Sequence, residues 1–210
     1  LWADLLRVKS SKLGEAGVHK FHQWLVRSVR DNKPFDEFTR ELLTATGSTF
    51  DNPPAAFFRA TSDPNGLSEA TSQLFLGIRI QCARCHNHPF ERWTQNHYYG
   101  MGAFFSRVRV RDGAAPDEKV VWLAGEGEVT HPRTNAPAAL VLPMTGKLDV
   151  DPLRDRRAAF ADWLTAESNP FFARMTVNRL WARFFGRGIV EPVDDFRDSN
   201  PPSHPELLDR

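Results

Sequence analysis

Both cysteines of the chain, Cys82 and Cys85, fall in the stretch Gln81 to Phe90, QCARCHNHPF, three positions apart with His86 directly after them. That spacing suits three chemistries: covalent attachment of a haem, a tetrahedral zinc site, or a reversible disulfide. Each demands a different neighbourhood from the rest of the chain.

At 210 residues the chain can bury a sizeable core, as one large domain or two small ones at roughly 100 to 200 residues each. Hydrophobic residues at 41% and charged residues at 25% give the balance of a soluble globular protein. No apolar run approaches the ~18 residues a membrane helix needs. Twenty-seven basic residues against 26 acidic ones leave a net charge of +1, so no excess field argues for a nucleic acid or an anionic membrane. There is no Ser-His-Asp pattern, P-loop or dinucleotide fingerprint to name an enzyme. The sequence opens at Leu1 inside a structured segment and stops at Arg210 just after a fresh helix start, which reads as a piece of a larger protein.

Apolar residues at helical spacing predict a helix over Val18 to Arg30, broken at Asn32 and Lys33 and followed from Pro34 by a second helix lined by Phe35, Phe38, Leu42 and Leu43. Gly47 to Pro54 and Ser62 to Gly66 read as loops, Asp63-Pro64-Asn65-Gly66 being a turn signal. Leu67 to Ile80 suits a helix leading into the cysteine motif. Thr94 is the expected N-cap of a helix whose Gly100 and Gly102 let something approach the backbone closely. Short runs at Val108 to Arg111, Val120 to Leu123 and Ala139 to Leu142 suit strands. Helix resumes over Asp151 to Glu167. Asn169-Pro170 then opens another, with Phe171, Phe172, Met175, Leu180, Trp181, Phe184 and Phe185 as its expected buried stripe and Gly186 and Gly188 as left-handed stops. Ser203 to Glu206 has the spacing of a capping box.

Cys-x-x-Cys-His is the haem c attachment signature: two thiols about a helical turn apart add to two vinyl groups while the next imidazole reaches the iron. His86 is then the axial ligand. His88 follows too closely to reach the opposite face, so Met101 and His97 are the first candidates there, with His131 and Met144 behind them. Phe90, Trp93, Tyr98, Tyr99, Phe104 and Phe105 suit either a haem edge or plain core. The alternative zinc set is Cys82, Cys85, His88 and His97, which leaves His86 unexplained. A dithiol or disulfide comes third, because no strand-helix-strand pattern surrounds the motif. Asp194, Asp195 and Asp198 lack calcium-loop spacing and read as a polar loop, and Arg174, Arg179, Arg183 and Arg187 as a solvated basic face.

The run QLFLGIRIQCARCHNHPFERWTQNHYYGMGAFFSRV, with HQWLVRSVRDNKPFDEFTRELLTATGS upstream, closely resembles the planctomycete-type cytochrome domain of unknown function. FADWLTAESNPFFARMTVNRLWARFFGRGIVEPVDDFRDSNPPSHPELLD resembles the start of the planctomycete-specific domain that follows it. The resemblance implies part of a larger periplasmic or secreted bacterial protein, accompanied by a further cytochrome-like domain and by carbohydrate-binding or immunoglobulin-like modules. It fixes no sixth ligand and no substrate.

The expectation is a mainly α chain with a small β-hairpin-like insert: a helical cytochrome-like module at 1–112, a β-containing connector at 113–150 and the start of a second helical module at 151–210. The preferred function is an extracytoplasmic haem c module exchanging electrons with an unidentified redox partner. The alternative is a zinc-bound or disulfide-stabilised structural module of a polysaccharide-associated protein.

Overall fold

A computed structural model describes residues 1–60, 63–89 and 91–209. The fold is mainly α with short antiparallel strands between two helical regions. Helix α1 (Trp2–Leu5) leads into α2 (Ser10–Arg30), which begins earlier than the apolar spacing predicts and bends at Gly14. Asn32 turns left-handed, and Pro34 precedes α3 (Phe35–Thr44). Trp24 of α2 stacks on Phe38 of α3 at 4.7 Å and donates its indole N–H to Glu41 at 2.9 Å, so the two helices share one aromatic seam.

The Gly47 to Pro54 loop contains β1 (Gly47–Ser48), which pairs antiparallel with β3 (Lys119–Leu123), itself paired with β2 (Val108–Asp112). A two-residue strand carries no periodicity, so the sequence could not announce it. After α4 (Phe57–Ala60), the expected turn at Asp63 opens a helix instead. The Asp63 carboxylate accepts the Gly66 N–H at 2.9 Å, and Pro64 takes the first helical position of α5 (Pro64–Thr71). Ser62, where that loop was expected to begin, lies outside the described residues. The expected helix to Ile80 ends sooner: α5 passes through one π turn, Ser72–Leu76, and stops at Gly77 with φ +67°.

Helix α6 (Gln95–Gly102) starts at the predicted Thr94 cap. Its glycines serve the expected close approach. A Cβ on Gly100 would stand 2.6 Å from Val141 Cβ in the small hairpin of β4 (Val141–Leu142) and β5 (Gly146–Lys147). Helix α7 (Arg156–Leu164) is shorter than predicted because Asp155 caps it, its carboxylate accepting the Arg157 N–H at 2.9 Å. Phe160 packs against Phe104 and Phe105 at 5.4 and 5.5 Å. Arg157 is buried, pairs with Asp155 and donates to the carbonyls of Thr44 and Ala45 at the end of α3.

Helix α8 (Phe172–Phe185) begins two residues later than Asn169-Pro170 predicts, with Phe171 at the N-cap position; the Asn169 side-chain oxygen still accepts the N–H groups of Phe171 and Phe172, and Gly186 ends the helix left-handed. The predicted stripe needs correction: Met175 is buried, but Leu180, Phe184 and Phe185 are exposed. The basic face needs one too, since Arg179 is buried and donates to the carbonyls of Gln73 and Leu74. Gly188 keeps an ordinary φ and is not a left-handed stop. Helix α9 (Pro205–Leu208) has no side-chain cap, because Ser203 instead donates its hydroxyl to the Ile189 carbonyl at 3.0 Å.

One large apolar core runs from Leu6 to Leu164, and a small cluster of Ile189, Val190 and Leu208, with Trp181 and Phe196 against it, lies near the C-terminus. Among the described residues no helix is long and apolar enough to cross a membrane.

Candidate functional site

Beyond Gly77 the chain leaves the helix without regular structure, and Ile78 and Ile80 anchor it in the core. The motif follows as a separate 3-10 turn, Gln81–Arg84, and not as a helix end, since Gly77 has already terminated the helix. Ala83 is buried beneath it. Cys82, Cys85 and His86 are exposed, and both thiols are free. The Nδ1 of His86 lies 2.7 Å from the carbonyl oxygen of Asn87. A carbonyl only accepts, so Nδ1 carries the proton and the ring's lone pair sits on Nε2.

The back of this turn is held by polar groups that the sequence reading missed. Gln95, 7% exposed, donates its side-chain amide to the carbonyls of Arg84 at 3.2 Å and Cys85 at 3.0 Å. Its own side-chain oxygen accepts from Arg133 at 2.9 Å, and its backbone N–H donates to Asn87 Oδ1 at 3.1 Å. Tyr99 adds its hydroxyl to the Arg84 carbonyl at 3.0 Å. With its backbone acceptors satisfied by buried donors, the turn is fixed where its two thiols and imidazole face solvent.

The remaining histidines present a different chemistry. His88 Nδ1 accepts the Glu91 N–H at 3.0 Å. His97 Nδ1 accepts the Thr94 N–H at 3.1 Å, while the Thr94 hydroxyl accepts the His97 N–H, a reciprocal cap. Burial pushes the His97 pKa below its ordinary value. His131 is buried with its ring 5.2 Å from that of Tyr99. Met101 is fully buried, its sulfur accepting from the Ser72 hydroxyl at 3.8 Å. Trp93, Tyr98, Phe104 and Phe105 are core residues, whereas Tyr99 is half-buried behind the motif; Phe90 lies outside the described residues. Among the described residues no three His, Cys, Asp or Glu side chains gather as a metal set.

The three aspartates expected as a polar loop are engaged by arginines: Asp194 with Arg79, Asp195 with Arg197 and Asp198 with Arg92. For Asp194 burial is the largest single influence and raises its pKa, but hydrogen bonds from Arg79 and Gln73 outweigh it and hold the carboxyl below its usual range. These pairs bring residues 194–200 beside the motif. A cavity of about 220 Å³ results, lined by Arg79, Cys82, His88, Trp93, Phe196 and Arg197 among others. It shares Glu91, Trp93, Phe196 and Arg197 with a larger cleft of about 360 Å³ that reaches Met144, Phe171 and Arg174.

The chain is thus mainly α and presents Cys82, Cys85 and His86 on a pinned, exposed turn. The family model PSCyt2, described as a protein of unknown function (DUF1549), matches residues 1–110, and the chain belongs to that family. A second family model, PSD1, a protein of unknown function (DUF1553), matches residues 156–210. Neither a search of curated proteins nor one of solved structures found a match.

Proposed function

We propose that this chain is a haem c module of a periplasmic or secreted protein, exchanging electrons with a partner through a haem held by Cys82, Cys85 and His86. The observation that carries the reading is the state of His86: Nδ1–H donates to a backbone carbonyl and leaves Nε2 as the donor atom, beside two exposed thiols on one turn. A ligating histidine typically donates its second ring N–H in this manner, which fixes the tautomer and raises ligand basicity. Each thiol would add across one vinyl group, sulfur to one carbon and hydrogen to the other, with no oxidant required. The bound group would supply a one-electron couple. The protein's own contribution is the hydrogen-bonded backing from Gln95, Tyr99 and Asn87, which keeps these donors in place.

The zinc set Cys82, Cys85, His88 and His97 asks more of the structure. Both histidines spend the Nδ1 lone pair on a backbone N–H, so zinc could bind Nδ1 only by displacing that hydrogen bond, or Nε2 only after the proton moves to Nδ1. Replacing His86 separates the readings. In protein matured with covalent haem, His86→Ala should abolish the low-spin spectrum. A zinc protein would keep its metal content through that substitution, and that outcome counts against haem.

A further inference from the structure

We infer that the cavity beside Arg179 is a binding site for a small oxyanion, a carboxylate or phosphate group of a few heavy atoms. None of Cys82, Cys85 and His86 lines it, so the site stands independently of the haem reading.

Arg179, on α8, is 7% exposed, and burial pushes its pKa below the ordinary arginine value. A guanidinium taken out of water needs a counterion or a full set of acceptors. Arg179 has neither among the described residues. Its Nη2 reaches the carbonyls of Gln73 and Leu74 only at 3.3 and 3.4 Å, and its Nε is buried with no partner. The acidic side chain that acts on it, Asp194, is committed elsewhere: Oδ1 accepts from Arg79 at 2.5 Å, and Oδ2 accepts from Gln73. One carboxylate therefore faces two guanidinium groups, and one positive charge is left over.

The space beside this charge is a cavity of about 200 Å³, bounded by Arg179, Gln73, Leu74, Leu5 and Arg7 among others. That is below the roughly 300 Å³ at which pockets for larger ligands begin, and it suits a single oxyanion group. A planar guanidinium matches the paired oxygens of a carboxylate or phosphate. Arg7 adds a second cation at the exposed rim, with no ion pair among the described residues. Asp4 also lines the cavity, but its side chain is 91% exposed, so water and salt screen its charge far more than that of the buried arginine. A bound oxyanion would complete the Arg79–Asp194–Arg179 cluster and join α1, the turn at Gln73 and α8.

The test is isothermal titration of the full-length protein with inorganic phosphate and, in a separate arm, with sodium acetate, both at fixed ionic strength set by chloride. Wild type should show saturable binding at one site in at least one arm, and the arm that saturates more tightly identifies the oxyanion. Arg179→Gln should weaken that binding at least about tenfold, because it removes the charged donor. Arg7→Gln, at an exposed position where folding is not at stake, should weaken it about threefold. Melts in chloride establish which variants fold, and Arg7→Gln carries the comparison if Arg179→Gln does not. Wild type that saturates in neither arm overturns the site, as does wild-type affinity in either folded variant.

Discussion

His97 shows how one ring secures a helix start. Its neutral Nδ1 accepts the Thr94 N–H, so protonation on that nitrogen removes the acceptor, and burial already disfavours the charged form. With the folded pKa below the unfolded value of about 6.5, the unfolded chain binds protons first. Stability is therefore full above about pH 6.5 and declines as the pH falls through the lower folded value. A thermal melt series from pH 7.5 to 5 should show this slope, and His97→Gln, which preserves the box acceptor, should flatten it. Thr94→Ala should cost about 1 kcal/mol. At this scale the Thr94 cap was legible, because a threonine before a helical run is a local signal. Gln95 was not, since its work depends on Arg84, Cys85 and Arg133, which meet it only after folding.

Elements of about two turns or more were readable from apolar spacing, though their ends were set by contacts the pattern does not contain. Gly77 is the clearest instance. It cuts short the helix expected to reach Ile80, and a Cβ there would meet the Phe196 ring at 2.6 Å, while its carbonyl accepts the Phe196 N–H at 2.8 Å. Gly77→Ala should cost more than about 2 kcal/mol, from the left-handed backbone and the clash together. Gly146→Ala is the control: φ is +86°, but nothing lies within 4 Å of the added Cβ, so only the backbone cost of about 1 kcal/mol remains. Urea midpoints of the two variants should differ accordingly. The α8 stripe failed for a related reason: helical spacing identifies an apolar face, and only tertiary packing determines how much of it is covered. Here Met175 is covered, while Phe184 and Phe185 are exposed.

Across the whole molecule, the C-terminal PSD1 segment is tied to the PSCyt2 segment at the motif. Asp194 holds Arg79 and Gln73, Phe196 packs over Gly77, and Asp198 holds Arg92. The mainly α class was legible because its longest helices carry strong apolar periodicity. The cleft was not, because its walls come from residues 79–93, Met144 and residues 170–208, and no spacing rule connects them. The most direct test of the account is an absorption spectrum with intact mass on full-length protein produced in the periplasm of a host with haem c maturation machinery. The account predicts a mass increase of one haem, with a Soret band that survives acid-acetone extraction. A colourless protein at apoprotein mass would contradict it.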